Sequence, residues 1–390
     1  MTRDTVIVAT PWPPWPLDNG TRIRTARLAQ CLSRAFDLTL VTFDDGPEYD
    51  ETRASREQLE RLLPDARIEL VTYDTPPVAP GGRLESATWG RFATPNLRAA
   101  LGRLVRAHPG AILQLEHPGA GLAGLGLAPG RTVYSAHNIE HRIWREVTPK
   151  RPAAHRPYLE VEWRKIDLEE RRCWRGADLC LAVSQADADT MLAGGARSVQ
   201  VTPNGSDAHD PLAPARFTGA DPLRLLFVGN GLYWPYEHGL SWFVREVLPS
   251  VPERLAIAFD VVGARPADRA LAPGVTYHGR VDSLRPFYEA AHALVIPVFE
   301  GSGTRLKLIE ASFFGRPVIS TTLGAEGLPL RAGEHYARAD SVAEWVLAIE
   351  QLAIGQLAEM PERARAALRD FTWPQIGAAL GNTYRRLARG

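Results

Sequence analysis

Short apolar runs rich in β-branched residues alternate along this chain with amphipathic stretches of helical period. Because parallel neighbouring strands need a long crossover connection, this alternation is typical of parallel sheets joined by helices. The sequence therefore predicts an α/β fold. The pattern occurs in two series, and each opens with a strand that leads into a glycine-containing loop, IVATPWPPWPLDNG in the first and LLFVGNG in the second.

The two series predict two doubly wound domains. Strands are expected at 5–10, 38–43, 68–73, 111–115, 132–135 and 178–183, and then at 223–228, 256–262, 293–297 and 317–320. The text PNGSDAHDPLAPARFTGADP has no apolar period and is typical of a linker. We predict domains over 1–203 and 223–371, a linker over 204–222 and a final amphipathic helix over 372–390. Ligands of open α/β sheets bind beyond the strands' carboxyl ends, so one central cleft between facing domains is expected.

Composition excludes several classes of protein. The 390 residues carry 45 Lys plus Arg and 45 Asp plus Glu, and this zero net charge disfavours a nucleic-acid binder. No apolar run approaches the ~20 residues that span a bilayer, and no signal peptide is evident. Three cysteines without CxxC spacing favour a reducing, cytoplasmic location. The basic stretch 97–108 is either a solvated surface helix, which we favour, or a peripheral contact with the inner face of the membrane.

The segment FEGSGTRLKLIEASFFGRPVIS carries the strongest chemical signal. A strand ends in a Gly-Ser-Gly turn before a helix, and the free N–H groups of a helix N-terminus bind anions such as a diphosphate. A helix from Gly303 places Glu310 on the same face about 10 Å along the axis, where its carboxylate can accept ribose hydroxyls. Lys307 lies on nearly that face, Thr304 adds a hydroxyl donor, and Arg305 points elsewhere. The alternative is an exposed Lys307–Glu310 ion pair.

Two histidines follow predicted strands of the first series. His137 comes just after 132–135 and can face a ligand, although a lone histidine is more often structural. His117, after 111–115, is a second candidate, for acceptor binding.

The first loop offers aromatic and polar side chains. Trp12, Trp15, Asn19 and Gly20 lie between the first strand and a helix expected near residue 21. Either the indoles contact an acceptor, or TPWPPWP is a stiff loop whose indoles pack on a neighbouring helix. The pair Asp187 and Asp189 forms a DxD that can bind a metal, but Ser184 is typical of a helix N-cap that places both aspartates in the first turns.

In the order of its motifs the chain resembles the GT-B glycosyltransferases, and within them the retaining, nucleotide-sugar-dependent family 4. The similar segments are TPWPPWPLDNGTRIR, SAHNIEHR, VTPNGSD, FVGNGLYWPYEHGLSWFVREVLP, GSGTRLKLIEASFFGRPVIST and GAEGLPL. The resemblance implies that Glu310 contacts the donor ribose, the 303–306 backbone the diphosphate, and His137 the donor sugar. It implies further donor contacts from residues of both glycine-containing loops, namely Gly20, Gly229 and Asn230. Catalytic roles are expected for His137, Lys307 and Arg305.

The chain departs from the family pattern in two places. The carboxylate that usually precedes the ribose glutamate by eight residues is replaced by Ser302, whose hydroxyl can still bind a sugar, and Glu300 lies two residues too early. The loop 229–239 also lacks the Arg and Lys that often bind the diphosphate, for which Arg305 and Lys307 are expected to substitute.

The resemblance implies a transferase that moves a sugar from a nucleotide-diphosphate sugar to a hydroxyl acceptor, a polysaccharide precursor or a secondary metabolite. It implies no cofactor and no obligatory metal, with UDP, GDP and dTDP equally open as the nucleotide. Two alternatives stay open: a nucleotide-sugar epimerase of the same architecture, and a non-catalytic partner with a decayed donor site. The sequence gives no oligomeric state.

Overall fold

The computed structural model describes residues 3–44, 55–74, 85–207, 211–229, 234–263, 273–301 and 304–389. The chain divides into two compact units. The first unit comprises the chain up to Pro203 together with the residues from Trp373 onward, and the second comprises Asn204–Thr372. Each unit is built on a parallel sheet with crossover helices, so the predicted pair of doubly wound, Rossmann-like domains is confirmed.

The first unit contains a seven-stranded sheet in the order β3-β2-β1-β4-β5-β6-β7. Its elements are β1 (Thr5–Ala9), α1 (Gly20–Ser33), β2 (Asp37–Phe43), α2 (Arg56–Leu62), β3 (Ala66–Val71), α3 (Pro95–Ala107), β4 (Ile112–Glu116), α4 (His117–Gly124), β5 (Thr132–Ser135), α5 (Glu140–Val147), α6 (Arg156–Gly176), β6 (Leu179–Ala182), α7 (Gln185–Ala193) and β7 (Val199–Val201). Every residue of β4, β5 and β6 is buried, as expected for central strands with helices on both faces.

The second unit contains a six-stranded sheet in the order β10-β9-β8-β11-β12-β13. Its elements are β8 (Leu223–Val228), α8 (Trp234–Trp242), β9 (Ile257–Val262), β10 (Val275–Gly279), α9 (Arg285–Ala290), β11 (Ala293–Ile296), α10 (Leu306–Phe313), β12 (Val318–Ser320), β13 (Ala337–Arg338), α11 (Val342–Ala353) and α12 (Met360–Ala367). Two buried clusters cover the faces of this sheet, one around Phe243 and Trp345 and the other around Tyr288 and Phe314.

The final helix, α13 (Trp373–Arg389), packs in the first unit. Gly377 lies so close to α1 that an added Cβ would come within 2.3 Å of the Cys31 Cβ. Arg131 donates a hydrogen bond to the Ala388 carbonyl at 2.9 Å, and Tyr384 is fully buried. A helix that follows the second unit in sequence therefore completes the core of the first.

The basic stretch 97–108 coincides with α3, and its apolar face is not available to a membrane. Leu97, Ala100 and Leu101 are buried in the core of the first unit. This burial favours the surface-helix interpretation over membrane contact. None of the helices in the described ranges combines the length and the apolar character that crossing a bilayer requires.

Candidate functional site

In each sheet the direction of the strand order reverses between two central neighbours, β1 and β4 in the first unit and β8 and β11 in the second. Ligands of open parallel sheets bind beyond the carboxyl ends of the strands at such a reversal. We call the residues around Glu116, His117 and His137 the first-unit site, and those around Glu310 and Lys307 the second-unit site.

The second-unit site depends on where α10 begins. The predicted start at Gly303 is wrong, because Arg305 keeps an extended backbone as the N-cap and the helix begins at Leu306. The Thr304 carbonyl accepts a hydrogen bond from Asn204 Nδ2 at 3.3 Å, and the Leu308 N–H bonds to the Arg305 carbonyl at 3.0 Å. Glu310 therefore lies about one turn, not two, from the start of the helix.

The Glu310 carboxylate is held by two donors. Lys307 Nζ and the Tyr288 hydroxyl each lie 2.9 Å from its Oε2. Lys307 and Glu310 are about one-fifth exposed, whereas Tyr288, on α9, is completely buried. Burial and then the Glu310 charge raise the pKa of Tyr288 well above its usual value, so the hydroxyl stays protonated and donates. Sequence reasoning missed Tyr288, because its contact with Glu310 joins two helices that flank β11.

Arg305, predicted to be catalytic, is only 7 % exposed, and its Nη2 reaches the Glu300 carbonyl at 3.5 Å. The guanidinium is thus turned inward beneath the turn that precedes α10. Glu300 is buried, and its Oε2 lies 3.1 Å from Nδ1 of His238 on α8. The structure therefore brings Glu300 to the carboxyl end of β11, paired with a histidine that sequence reasoning had not singled out.

The remaining predicted donor contacts have different outcomes. The amide of Gly229 donates to the Val262 carbonyl at 3.0 Å, so this N–H is engaged at the end of the sheet, and the contact of Gly229 with the donor stays a prediction. Thr304 is 7 % exposed, and among the described residues its buried Oγ1 has no hydrogen-bond partner. Leu306 is the first residue of α10, where backbone N–H groups have no partner inside the helix. Asn230, Ser302 and Gly303 lie outside the described residues.

The first-unit site centres on a short contact between Glu116, on β4, and His137, two residues after β5. Glu116 is the last residue of β4, and its Oε2 lies 2.5 Å from Nε2 of His137. Glu116 is fully buried and His137 is 6 % exposed. Gln114 donates a hydrogen bond to the same carboxylate, and the Tyr384 hydroxyl donates to Gln114 Oε1 at 2.5 Å. The predicted residue His137 therefore sits in a buried polar network.

Buried Arg24 supplies the positive charge of this network. Burial lowers its pKa to about 10, opposed by Glu116, so it stays charged at neutral pH. Burial alone would raise the pKa of Glu116, but His137, Arg24 and the Gln114 amide outweigh it and the pKa is lowered. For His137 burial prevails, and its pKa is lowered despite Glu116. At neutral pH the network therefore holds two opposite charges, on Arg24 and on Glu116, and a neutral imidazole.

His117 opens α4 and stacks on His137. The ring centroids are 4.1 Å apart and nearly parallel, and Trp89 stacks on the other side at 4.9 Å. His117 has a left-handed backbone, with φ of 65°, which is uncommon for a residue with a side chain. Burial first, and then His137 and Arg24, lower its pKa well below the ordinary value. Within the described residues neither His117 Nε2 nor His137 Nδ1 has a hydrogen-bond partner.

The aromatic loop before α1 packs inward. Trp12 contacts the rings of Trp89, Phe92 and His117 at centroid distances of 5.0–5.5 Å, so it buttresses the first-unit site as a packed residue. This favours the packing interpretation of Trp12 over acceptor contact. Trp15 is half-buried beside it in the loop.

Asn19 is the N-cap of α1, because its side chain accepts a hydrogen bond from the Arg22 N–H at 3.0 Å. The side-chain oxygen of Asn19 is thus engaged as the helix cap, and its contact with an acceptor stays a prediction. Gly20 is the exposed first residue of the helix, where a ligand can approach the backbone.

The DxD pair serves helix capping. Ser184 is the N-cap of α7, accepting from the Asp187 N–H at 3.1 Å and donating to its carboxylate at 2.7 Å. Asp189 accepts from Gln185 at 2.8 Å. Both aspartates thus have local partners on α7, as the N-cap interpretation predicts.

Two family models match the chain. The model described as glycosyltransferase family 4 matches residues 18–210, and the model described as glycosyl transferases group 1 matches residues 222–354. Each match falls largely within one of the two units. Among curated proteins, no relative matches the sequence.

Solved structures resemble the chain over nearly its whole length. A sucrose-phosphate synthase from Thermosynechococcus elongatus has a TM-score of 0.74 at 18 % identity and covers 99 % of both chains. HepE from Anabaena, in complex with UDP, has a TM-score of 0.70 at 15 % identity, covering 98 % of this chain and 100 % of its own. A glycosyltransferase from Rickettsia africae has a TM-score of 0.68 at 12 % identity and covers 100 % of both. At these identities the likeness shows a shared fold.

Proposed function

The chain belongs to the glycosyltransferases with the GT-B fold, and we propose that it transfers a sugar from a nucleoside-diphosphate sugar to a hydroxyl acceptor. The proposed reaction retains the anomeric configuration and needs no metal ion. The observation that carries the proposal is the Glu310 carboxylate, held by Lys307 and Tyr288 beside the first turn of α10.

Each group of the second-unit site has a place in donor binding. The N–H groups of Leu306 and Lys307, at the start of α10, and the Lys307 ammonium neutralise the diphosphate. The Glu310 carboxylate, which has acceptor capacity left beyond its two protein donors, accepts the ribose hydroxyls. The buried Thr304 hydroxyl lies just before this helix, one residue ahead of the Arg305 N-cap. Arg305, which is turned inward, supports the turn and takes no direct part in this scheme.

The proposed chemistry requires charge stabilisation more than proton transfer. As the bond from the sugar to the diphosphate lengthens, negative charge grows on the diphosphate and positive charge on the sugar ring. Fixed helix N–H dipoles and Lys307 stabilise the leaving diphosphate in the place where a metal ion would otherwise act. The acceptor hydroxyl attacks on the side that the diphosphate leaves, and a diphosphate oxygen takes its proton. His137 contacts the sugar.

The structural neighbours suggest which donor to test first. Anabaena HepE has been crystallised with UDP and with UDP-glucose, and its fold matches this chain at a TM-score of about 0.7. We therefore propose a uridine-diphosphate sugar as the first donor to assay.

The test begins with thermal unfolding in the presence of UDP, GDP, dTDP, ADP or NAD. A ligand at ~100 times its dissociation constant adds about 2.7 kcal/mol to the free energy of unfolding. We expect one nucleoside diphosphate to stabilise the wild type and to stabilise Glu310→Ala much less. Glu362→Gln, an exposed carboxylate on α12, is the matched control and should behave like the wild type.

The cognate sugar nucleotide is then incubated with a panel of hydroxyl acceptors, and the anomeric configuration of the product is read by NMR. An α-linked product from an α-linked donor supports retention. Epimerised sugar nucleotide without acceptor would instead favour the epimerase alternative. No response to any diphosphate would overturn the donor site and favour a non-catalytic partner.

A further inference from the structure

A line of buried polar side chains connects α13 to His137. The Tyr384 hydroxyl donates to Gln114 Oε1, the Gln114 amide donates to the Glu116 carboxylate, and Glu116 Oε2 lies 2.5 Å from His137 Nε2. All four residues are at most 6 % exposed. Burying polar side chains costs free energy, which hydrogen bonds only partly offset. An apolar core would avoid this cost, so the four polar side chains point to a functional role.

The charges around His137 determine which proton it carries. Three titratable groups face it: Glu116 from β4, His117 from α4 and Arg24 from α1. Arg24 already neutralises Glu116, so a proton added to His137 would leave a net positive charge in the interior. A neutral imidazole that contacts a carboxylate through Nε2 must carry its proton there, because two acceptors cannot share a hydrogen bond without one. His137 Nδ1 is then an unprotonated acceptor.

We propose that Glu116 is a positioning residue for His137. The Glu116 carboxylate fixes the imidazole proton on Nε2 and so leaves the lone pair of Nδ1 to accept a hydrogen bond from a sugar hydroxyl. Gln114 and Tyr384 in turn fix the Glu116 carboxylate, so the last helix of the chain controls the state of this histidine. The inference rests on the proposed function, in which His137 contacts the donor sugar, and it deepens that role.

The proposed state suits the chemistry of sugar transfer. Positive charge develops on the sugar ring in the transition state, so a protonated histidine beside it would raise the barrier, whereas a neutral acceptor does not. Nδ1 of His137 is buried and has no hydrogen-bond partner within the described residues, so its acceptor capacity is unused by the protein.

The first test needs no substrate. The protein is labelled with ¹⁵N-histidine, and long-range ¹H–¹⁵N spectra at pH 7.5 are compared with those of His137→Gln to assign the His137 ring. We expect a neutral ring protonated on Nε2. A ring protonated on Nδ1, or a charged ring, would overturn the proposal even if the enzyme transfers sugar.

The second test changes the partners of His137. In Glu116→Gln the charge that favours protonation of His137 is lost, so both its NMR titration and the acid limb of kcat should move to lower pH. We expect kcat to fall by up to about tenfold, the loss equivalent to one hydrogen bond. An unchanged His137 titration would contradict the proposal.

Tyr384→Phe provides a milder variant if Glu116→Gln does not fold. It leaves Glu116 and His137 intact but removes a hydrogen bond that holds Gln114. We expect the His137 titration to move to lower pH, as in Glu116→Gln, but by less. Tyr134→Phe removes another buried tyrosine hydroxyl of the same unit and is the matched control, with no expected shift. Equal effects of the two variants would show that general destabilisation, and not positioning, is responsible. Failure of sugar transfer with the expected NMR state would count against the proposed function alone.

Discussion

The two candidate sites differ in how the chain builds them. The second-unit site is local and partly open: Lys307 and Glu310 are three residues apart on one helix and each is about one-fifth exposed. The first-unit site is buried, and its residues come from α1, β4, the segment after β5, and α13. Holding a charged group in place therefore has opposite consequences for stability at the two sites. Charges in the buried site stabilise the fold only as a set, whereas those in the open site can be changed at little cost to folding.

Arg24→Met should have the largest effect on stability. It removes the buried positive charge that helps to lower the pKa of Glu116, together with the hydrogen bond from Arg24 to the Pro203 carbonyl, and leaving a buried charge uncompensated typically costs about 3–5 kcal/mol. The free energy of unfolding in urea measures the loss. The control Arg27→Met changes a half-buried arginine on the same helix and should cost far less. The double variant Arg24→Met with Glu116→Gln should recover part of the loss, and failure to recover any would show that Arg24 acts through packing alone.

Lys307→Met should show the opposite behaviour. Its ion pair with Glu310 is partly exposed, so we expect less than about 1 kcal/mol of lost stability. The loss of charge at the diphosphate should lower kcat/KM about a hundredfold or more. Unfolding and steady-state kinetics of the same preparation check both numbers. Lys165→Met, on α6, serves as the control. A large loss of stability with normal activity would show that Lys307 stabilises the fold and does not bind the donor, contrary to the contrast drawn between the two sites.

Glu140→Gln tests a buried carboxyl group whose pKa is raised, in contrast to Glu116, whose pKa is lowered. Burial, and then the charge of Glu170, raise the pKa of Glu140 to about 8, and the hydrogen bond from Asn138 only partly opposes them. The folded state therefore binds more protons than the unfolded state between about pH 4.5 and 8, and wild-type stability falls as pH rises through this window. Each unit of pKa shift corresponds to about 1.4 kcal/mol.

We accordingly expect Glu140→Gln to be more stable than the wild type at pH 8.5, and this advantage to shrink towards pH 5. Urea unfolding at both pH values provides the measurement, with Glu146→Gln on the same helix as the control. If the variant and the wild type have the same free energy of unfolding at both pH values, Glu140 is not the cause of the pH dependence.

Tyr288→Phe should have the smallest effect. The Glu310 carboxylate keeps Lys307 but loses one hydrogen bond, so affinity for the nucleoside diphosphate should fall about fivefold, equivalent to about 1 kcal/mol. Isothermal titration calorimetry measures the change, and Tyr336→Phe removes another buried hydroxyl of the second unit as the control. A loss as large as that of Lys307→Met would mean that Tyr288 orients the whole turn.

Sequence periodicity predicted the central strands of both sheets, because strands buried on both faces give continuous apolar runs. It missed β7, β10 and β13. β7 has three residues and β13 only two, and β10 is only half-buried, so none of them produces a strong hydrophobic signal. Edge strands of this kind are defined by pairing with a neighbour and not by their own composition.

The start of α10 shows a similar limit. The Gly-Ser-Gly turn predicts that a helix follows, but its first residue depends on the hydrogen bond between Asn204 and the Thr304 carbonyl, one hundred residues apart. The inward packing of Trp12 could not be predicted from its loop sequence either, because it depends on contacts with Trp89 and His117, which are distant in sequence.

The fold class, the order of the elements and the placing of Lys307 beside Glu310 follow from the sequence pattern, because periodicity and i,i+3 spacing are properties of a short stretch of chain. The contacts of His137 follow from tertiary packing. Glu116, Gln114 and Tyr384 form the polar line that ends at His137, and Arg24 adds a buried positive charge, although 360 positions of the sequence separate Arg24 from Tyr384. The electrostatic energy of a buried group depends on distance and burial in space, and neither is encoded in local sequence pattern.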